Sequence, residues 1–353
     1  MKALLRYVLL ALALPCIAHA GVDQKDNEGA TPLFHAAQSG NEGVVKILLD
    51  QGADPNTPNR RGETPLAAAI QNGRQGIASL LIQYGADITA RTNQGDSVLF
   101  IAVRMGYRDI VRMVLTKGVE VDARNNAQET PLIVAAREGR DEIAALLIGK
   151  GANVDLGNGI DTPLRAAACA GQLSMLKLLI AAKAKFDQRN NTGETPLLCA
   201  AANGRIPVVR HLLGLGAKPD QRANDGRTAL MVASQNGRLP VVDLLLENGA
   251  DHNLREDSKG YDAILYAATS GNKPVVERLL KAGASADSRG HRGTRPLHLA
   301  ALYGYAEMAK LLIDSGAQID AVDADANTPL LLAALGKHQE VVAMLAERGA
   351  RIK

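Results

Sequence analysis

Residues 64–87 read TPLAAAIQNGRQGIASLLIQYGAD. Thr64 is a helix-starting residue, and Pro65 fits the first turn because the N–H it lacks has no internal partner there. Small residues follow, which lets neighbouring helices approach closely. Gly73, nine residues after the threonine, is placed to end the helix. A second apolar-periodic segment then runs to Gly85-Ala86-Asp87. Two short helices and a turn are too thin to bury a core alone, so the stretch has meaning only if it is repeated.

It is repeated along the chain. Thr64-Pro65-Leu66 is preceded by Thr31-Pro32-Leu33 and followed by Ser97-Val98-Leu99, Thr130-Pro131-Leu132 and Thr162-Pro163-Leu164. The series continues through Thr195-Pro196-Leu197, Thr228-Ala229-Leu230, Asp262-Ala263-Ile264, Arg295-Pro296-Leu297 and Thr328-Pro329-Leu330. The spacing is 33 residues, except for one interval of 32 and one of 34. Ala pairs recur at Ala36-Ala37, Ala135-Ala136 and Ala300-Ala301, and closing turns at Gly52-Ala53, Gly249-Ala250 and Gly349-Ala350. The residues between each closing turn and the next threonine are expected to form an extended, hairpin-like finger. Two fingers differ in length: the one through Gly157-Asn158-Gly159 is a residue short, and the one through residues 253–259 a residue long.

The pattern resembles the ankyrin repeat family, and Arg295-Pro296-Leu297-His298-Leu299-Ala300-Ala301 is its most complete copy. The resemblance implies an all-α repeat solenoid of about ten units, each a helix-turn-helix with a finger, spanning residues 21–353 with the last unit truncated. It also implies a concave protein-binding surface, a structural role for His298 and no enzymatic activity. Terminal units should be atypical. His35 stands where other copies have Leu, Val or Ala, and Leu330 to Leu335 should leave a partly exposed apolar end.

Composition agrees with thin units. Aromatics make up 3% of the chain, Trp is absent and there are 34 Gly. The start, MKALLRYVLLALALPCIAHAG, reads as a secretory signal peptide over residues 1–20: Lys2 and Arg6, a short apolar run, Pro15, then Ala18-His19-Ala20 before Gly21. Leu14 and Pro15 ahead of Cys16 do not fit a lipoprotein site. Without this segment the formal charge falls from +3 to 38 minus 37, or +1, which gives no electrostatic case for nucleic acid. No later apolar run is long enough to span a bilayer.

Mapped on the resemblance, the groove carries a row of residues just before each helix start: Glu63, Asp96, Glu129, Asp161 and Glu194, then Arg227 and Tyr261. This reads either as a recognition stripe or as a solvated edge. A second group, Leu302, Tyr303 and Tyr305 with His291 and Arg292 on the adjacent finger, joins Tyr261 as a candidate hot spot, because Tyr and Arg most often anchor interfaces. Arg91, Arg124, Arg189, Arg222, Arg255 and Arg289 form a finger row that reads either as a phosphate-binding ladder or as ordinary pairing with acids such as Asp122, Asp187, Asp220 and Asp287.

No catalytic, cofactor or metal constellation stands out: the histidines are dispersed and no glycine-rich phosphate loop occurs. Cys169 and Cys199 lie seven and four residues after their helix starts, so the first should face the groove and the second the packed interior. Two free thiols are therefore expected. The overall expectation is a non-enzymatic scaffold in the bacterial periplasm, monomeric when unbound, that holds a partner protein in its groove. The alternatives are an immunity-type inhibitor of a secreted toxic enzyme (a lipase, phospholipase or cell-wall hydrolase) and a secreted effector that binds a host protein.

Overall fold

The computed structural model describes residues 21–351. The signal-peptide assignment for residues 1–20, and Ile352 and Lys353 at the other end, lie outside the described residues. Those residues hold twenty helices in ten pairs, from Pro32–Ser39 with Glu42–Asp50 to Pro329–Leu335 with Gln339–Glu347. The expected all-α ankyrin solenoid of about ten units is what forms. Its residues fall into two compact units. One runs to Pro163 and adds Lys177–Ala184; the other comprises Leu164–Leu176 and Lys185 onward.

The sequence signals act where they stand. The hydroxyls of Thr64, Thr130 and Thr195 accept the N–H of the residue three ahead, at 3.2–3.3 Å, which satisfies one orphan donor of each helix start. Asp262 does the same for Leu265 at 3.1 Å. Pro65, Pro131 and Pro196 occupy the first helical turn. The Ala pairs are fully buried; Ala135, Ala136, Ala300 and Ala301 are all 0% exposed. Ser234 takes the register of Ala136 and Ala301, and its buried Oγ has no hydrogen-bond partner. Removing an unpaired buried hydroxyl relieves a desolvation penalty, so Ser234→Ala should stabilise the protein by about 1 kcal/mol. A lower denaturation midpoint in the variant would contradict that assignment.

The glycine nine residues after each helix start has two duties. Its backbone is left-handed, as at Gly73 (φ 67°) and Gly271 (φ 73°). The next repeat also lays a side chain on it: a Cβ on Gly73 would lie 3.0 Å from the Tyr107 ring, and one on Gly271 2.8 Å from the Tyr305 ring. At this covering position Arg205, Arg238 and His338 instead donate to carbonyls at the end of the preceding first helix (Cys169, Ala202 and Leu302, at 3.0, 3.3 and 3.0 Å). The repeats that carry these three side chains thus cap C-terminal carbonyls of the repeat before them.

In the last repeat Lys337 takes this glycine's place and adopts φ 59°. No later repeat lies among the described residues, so in the structure only the conformational penalty bears on it. Lys337→Gly should stabilise the protein by about 0.5–1 kcal/mol, the left-handed penalty less the added entropy of an unfolded glycine. Urea titration of the pair checks this, and an unchanged midpoint would refute it. The other non-glycine residues with positive φ (Gln128, Lys183 and Ala326) also replace glycines of the repeat.

The fingers are hairpin-like without forming strands. Among the described residues one isolated bridge, Arg91 with Ser97, is the only β pairing. Each finger closes on a backbone bond such as Asn59 N–H to Glu63 C=O (2.9 Å) and Asn125 to Glu129 (3.1 Å). Its tip donates to the preceding tip, as Arg60 N–H does to Glu28 C=O (2.9 Å). The two odd-length fingers keep this closure by changing its reach, and the long one by changing the side chain as well. In ordinary fingers the Asn59 or Asn125 side-chain oxygen accepts an N–H four residues on. In the short finger Asn158 reaches only three residues, to Asp161 N–H at 2.7 Å. In the long finger a glutamate, one methylene longer, takes over, and Glu256 reaches five residues to Tyr261 N–H at 3.2 Å. Burial raises the Glu256 carboxyl, but bonds from Ser258, Tyr261 and Lys259 N–H outweigh it and hold the group below its ordinary value.

The finger arginines do not pair with the acids named from sequence. Arg91, Arg189 and Arg222 donate to the backbone carbonyls of Arg124, Arg222 and Arg255, at 2.6, 3.0 and 2.9 Å. Asp122, Asp220 and Asp287 instead accept backbone N–H groups of the following closing turns, from Asn153, Asp251 and Gln318 at 3.0 Å each. Both rows are inter-repeat fasteners, because an arginine reaches one repeat along the fingers and a carbonyl is always waiting there.

The free-thiol expectation fails. Cys169 and Cys199 form a disulfide with a Cα–Cα distance of 5.1 Å. Unequal register does not keep them apart, because the side of a first helix that meets the next repeat and the side that meets the preceding one carry different positions. Arg165, three residues after its helix start, meets Glu194, one residue before its own. Asp96, one before, meets Asn125, five before. In both contacts the side chain in the earlier repeat lies four positions higher than its partner, and Cys169 at seven opposite Cys199 at four follows that pattern to within one position.

Candidate functional site

In the first unit the acidic row is neutralised from within. Asp96, 3% exposed, accepts from Arg104 Nη2 at 2.6 Å and from Asn125 Nδ2 at 3.1 Å. Glu129 accepts from Arg137 Nη2 at 2.5 Å, and Asp161 lies 3.6 Å from the same guanidinium. Glu63 accepts from Gln71 at 3.0 Å and Asn59 at 2.8 Å. For Glu63, Asp96 and Glu129 the rule is local: an acid before the helix start meets the side chain eight residues on, at the helix end. The Asp96…Arg104 and Glu129…Arg137 spacing was available to find it. In the second unit Glu194 follows another route and is held by Arg165 Nη2 at 2.5 Å.

Further along the second unit the acids of the row give way to Arg227 and Tyr261, with more aromatic side chains close by. Arg227 Nε donates to Asp225 at 2.6 Å. Tyr261 and Tyr266 pack edge to face with ring centroids 5.8 Å apart, and Lys259 Nζ lies 5.6 Å from the Tyr261 ring centre. Burial raises the Tyr261 phenol above its ordinary value despite a hydrogen bond with Thr294, and Tyr303 and Glu256 add to the rise. Burial also pushes Tyr266 up, to about 12, with Glu256 contributing. Both hydroxyls therefore keep their protons at physiological pH. Tyr303 stands 5.9 Å from Tyr305, and Leu302 and Tyr303 are 38% and 45% exposed.

The candidate hot spot divides. Tyr261, Leu302 and Tyr303 are on this face. Tyr305 is there too, but its ring covers Gly271 and serves packing. His291 and Arg292 belong to the finger tips: the His291 ring nitrogen lies 3.1 Å from the Ser258 carbonyl, and Arg292 Nη2 bonds Asp325 at 2.7 Å. Sequence reading missed Tyr266. Its signal was a ring four residues after the helix start, where other repeats carry mostly small or aliphatic residues such as Ala68, Val134 and Val232.

Among the described residues no group of three or more metal-ligating side chains converges, and no helix is long and apolar enough to cross a membrane. The arrangement offers packing area and hydroxyl or amide hydrogen bonds, not a nucleophile with its base.

Comparison with known proteins accords with this geometry. The model for ankyrin repeats (3 copies) matches residues 3–92, 89–158, 146–223, 164–256, 215–289 and 264–353. The crystal structure of the human ASB11 ankyrin repeat domain is similar at 26% identity with a TM-score of 0.57, over 63% of this chain and 99% of that one. No curated protein matches the chain. The 33-residue period, the capped helix pairs and the matches over nearly its whole length make the chain a member of the ankyrin-repeat family, whose fold serves as a non-catalytic protein-binding module.

Proposed function

We propose that the protein is a scaffold outside the cytosol, in the bacterial periplasm, that holds a partner protein against the aromatic face of its second unit. The observation that carries the binding part is the exposed pair Leu302 and Tyr303 beside Tyr261 and Tyr266, on a face whose acids are internally paired. A large ring with a polar tip supplies contact area at little entropic cost. Two observations support export: the leader-like residues 1–20, and the Cys169–Cys199 bond, which reducing cytosols disfavour.

The test is capture of the partner from periplasmic extract after cross-linking, with wild type and Tyr303→Ala compared. Truncating a central tyrosine anchor should weaken capture about thirtyfold, while the melting curve stays put because Tyr303 is 45% exposed. Equal capture by the variant would remove the aromatic face from the reading. Mass spectrometry of the exported protein should give an N-terminus at Gly21 and no free thiol; an intact residue 1 or two reactive thiols would refute export.

A further inference from the structure

We propose that the aromatic face takes an extended, uncharged segment of its partner, with apolar side chains at every third position. This rests on the scaffold reading above and specifies its ligand. The registers that line the face are the residue before each helix start and those four, seven and eight residues after it. In the last four repeats these positions hold no carboxylate and one cation, Arg227, which is already neutralised by Asp225 at 2.6 Å. In the second to fourth repeats the same registers hold Glu63, Asp96, Glu129 and Glu138. A charged partner residue would lose its water here and meet no free counter-charge.

What the strip offers instead is apolar anchors in neighbouring repeats. Leu302 and Leu335 share one register and are 38% and 67% exposed, and Tyr303 beside them is 45% exposed. Packed helices lie about 8–10 Å apart. An extended chain in the polyproline II form advances about 3.1 Å per residue with three residues per turn, so every third side chain falls on the same face and advances by about one repeat. A helix could match that distance only once in about seven residues.

The hydrogen-bonding groups on the strip favour the extended form as well. The Gln235 and Ser270 side chains make no hydrogen bond among the described residues, and the Tyr266 phenol keeps its proton. Such donors and acceptors suit the free N–H and C=O groups of an extended backbone, which a helix does not present.

The experiment is selection from a random display library of peptides about 12 residues long, on the full mature protein and on the variant L302S/Y303S/L335S. The three changed side chains are exposed, and a superimposable melting curve confirms that the variant folds. Wild type should enrich uncharged sequences with aliphatic or aromatic residues at i, i+3 and i+6. The variant should bind them at least about tenfold more weakly. Wild-type affinity should change less than about twofold between low and high salt. Enrichment of charged, salt-sensitive sequences, or equal binding by the variant, would overturn the proposal. So would wild-type selection that enriches nothing. If the partner is still captured from extract in that case, the scaffold reading stands and this inference alone fails; loss of both refutes both.

Discussion

Reduction of the Cys169–Cys199 bond is expected to destabilise the second unit by about 3–4 kcal/mol. The bond closes a loop with a sequence separation of 30. In the chain-entropy model a cross-link of that span removes roughly 12 cal/mol/K from the unfolded ensemble, which gives the stated figure near room temperature. The loss should be local, since a repeat is stabilised chiefly by its neighbours. Hydrogen exchange at amides of Pro163–Ala170 and Pro196–Ala202 would quicken first on adding dithiothreitol. A Cys169→Ala/Cys199→Ala variant should show the reduced behaviour whether or not reductant is present. Coincident denaturation curves for the oxidised and reduced wild type would mean that the bond does not hold these repeats. The Arg165–Glu194 ion pair spans the same two repeats, but its surface partly faces water and it does not replace a covalent link.

The second large effect concerns His298, which is 1% exposed. Its Nδ1 accepts the Arg295 N–H at 3.2 Å, and its Nε2 faces the carbonyls of Ala321 (3.0 Å) and Asn327 (3.2 Å) in the next finger. These partners fix the neutral tautomer with the proton on Nε2. His298→Ala removes the ring and leaves those backbone groups without partners, a loss of about 3 kcal/mol. Burial pushes the imidazole below its ordinary value, although the two carbonyls and Asp323 pull the other way. The sign follows from that net fall. The unfolded chain binds the proton more readily than the folded one. The contribution of His298 is therefore complete above the ordinary histidine value, near 6.5, and is lost as pH falls from there through the lowered folded value. Denaturation midpoints measured between about pH 7.5 and 5 should decline in wild type more than in His298→Gln. Parallel declines would show that His298 does not titrate in this way.

Much of the fold was legible because each repeat states its own local rules. Thr64 with Pro65 begins a helix, Gly73 turns the chain, and Gly85-Ala86 closes the unit; none of these needs a distant partner. Of the candidate site, the register positions of Tyr261, Leu302 and Tyr303 could be read. That Tyr305 covers a glycine and that Arg292 reaches Asp325 could not, since both partners lie one repeat away.

The sequence by itself determined the period, the helix starts and ends, the odd-length fingers and the thinness that makes neighbours obligatory. Only the tertiary structure decided that Cys169 bonds Cys199, that Glu194 is held by Arg165, and that Tyr266 joins Tyr261. The physical reason is that the side of a first helix that meets the next repeat and the side that meets the preceding one carry different positions, so unlike positions come into contact. Periodicity says which residues are equivalent, but side-chain contact depends on how neighbouring helices pack. Packing of the whole interface sets that, and no single repeat encodes it.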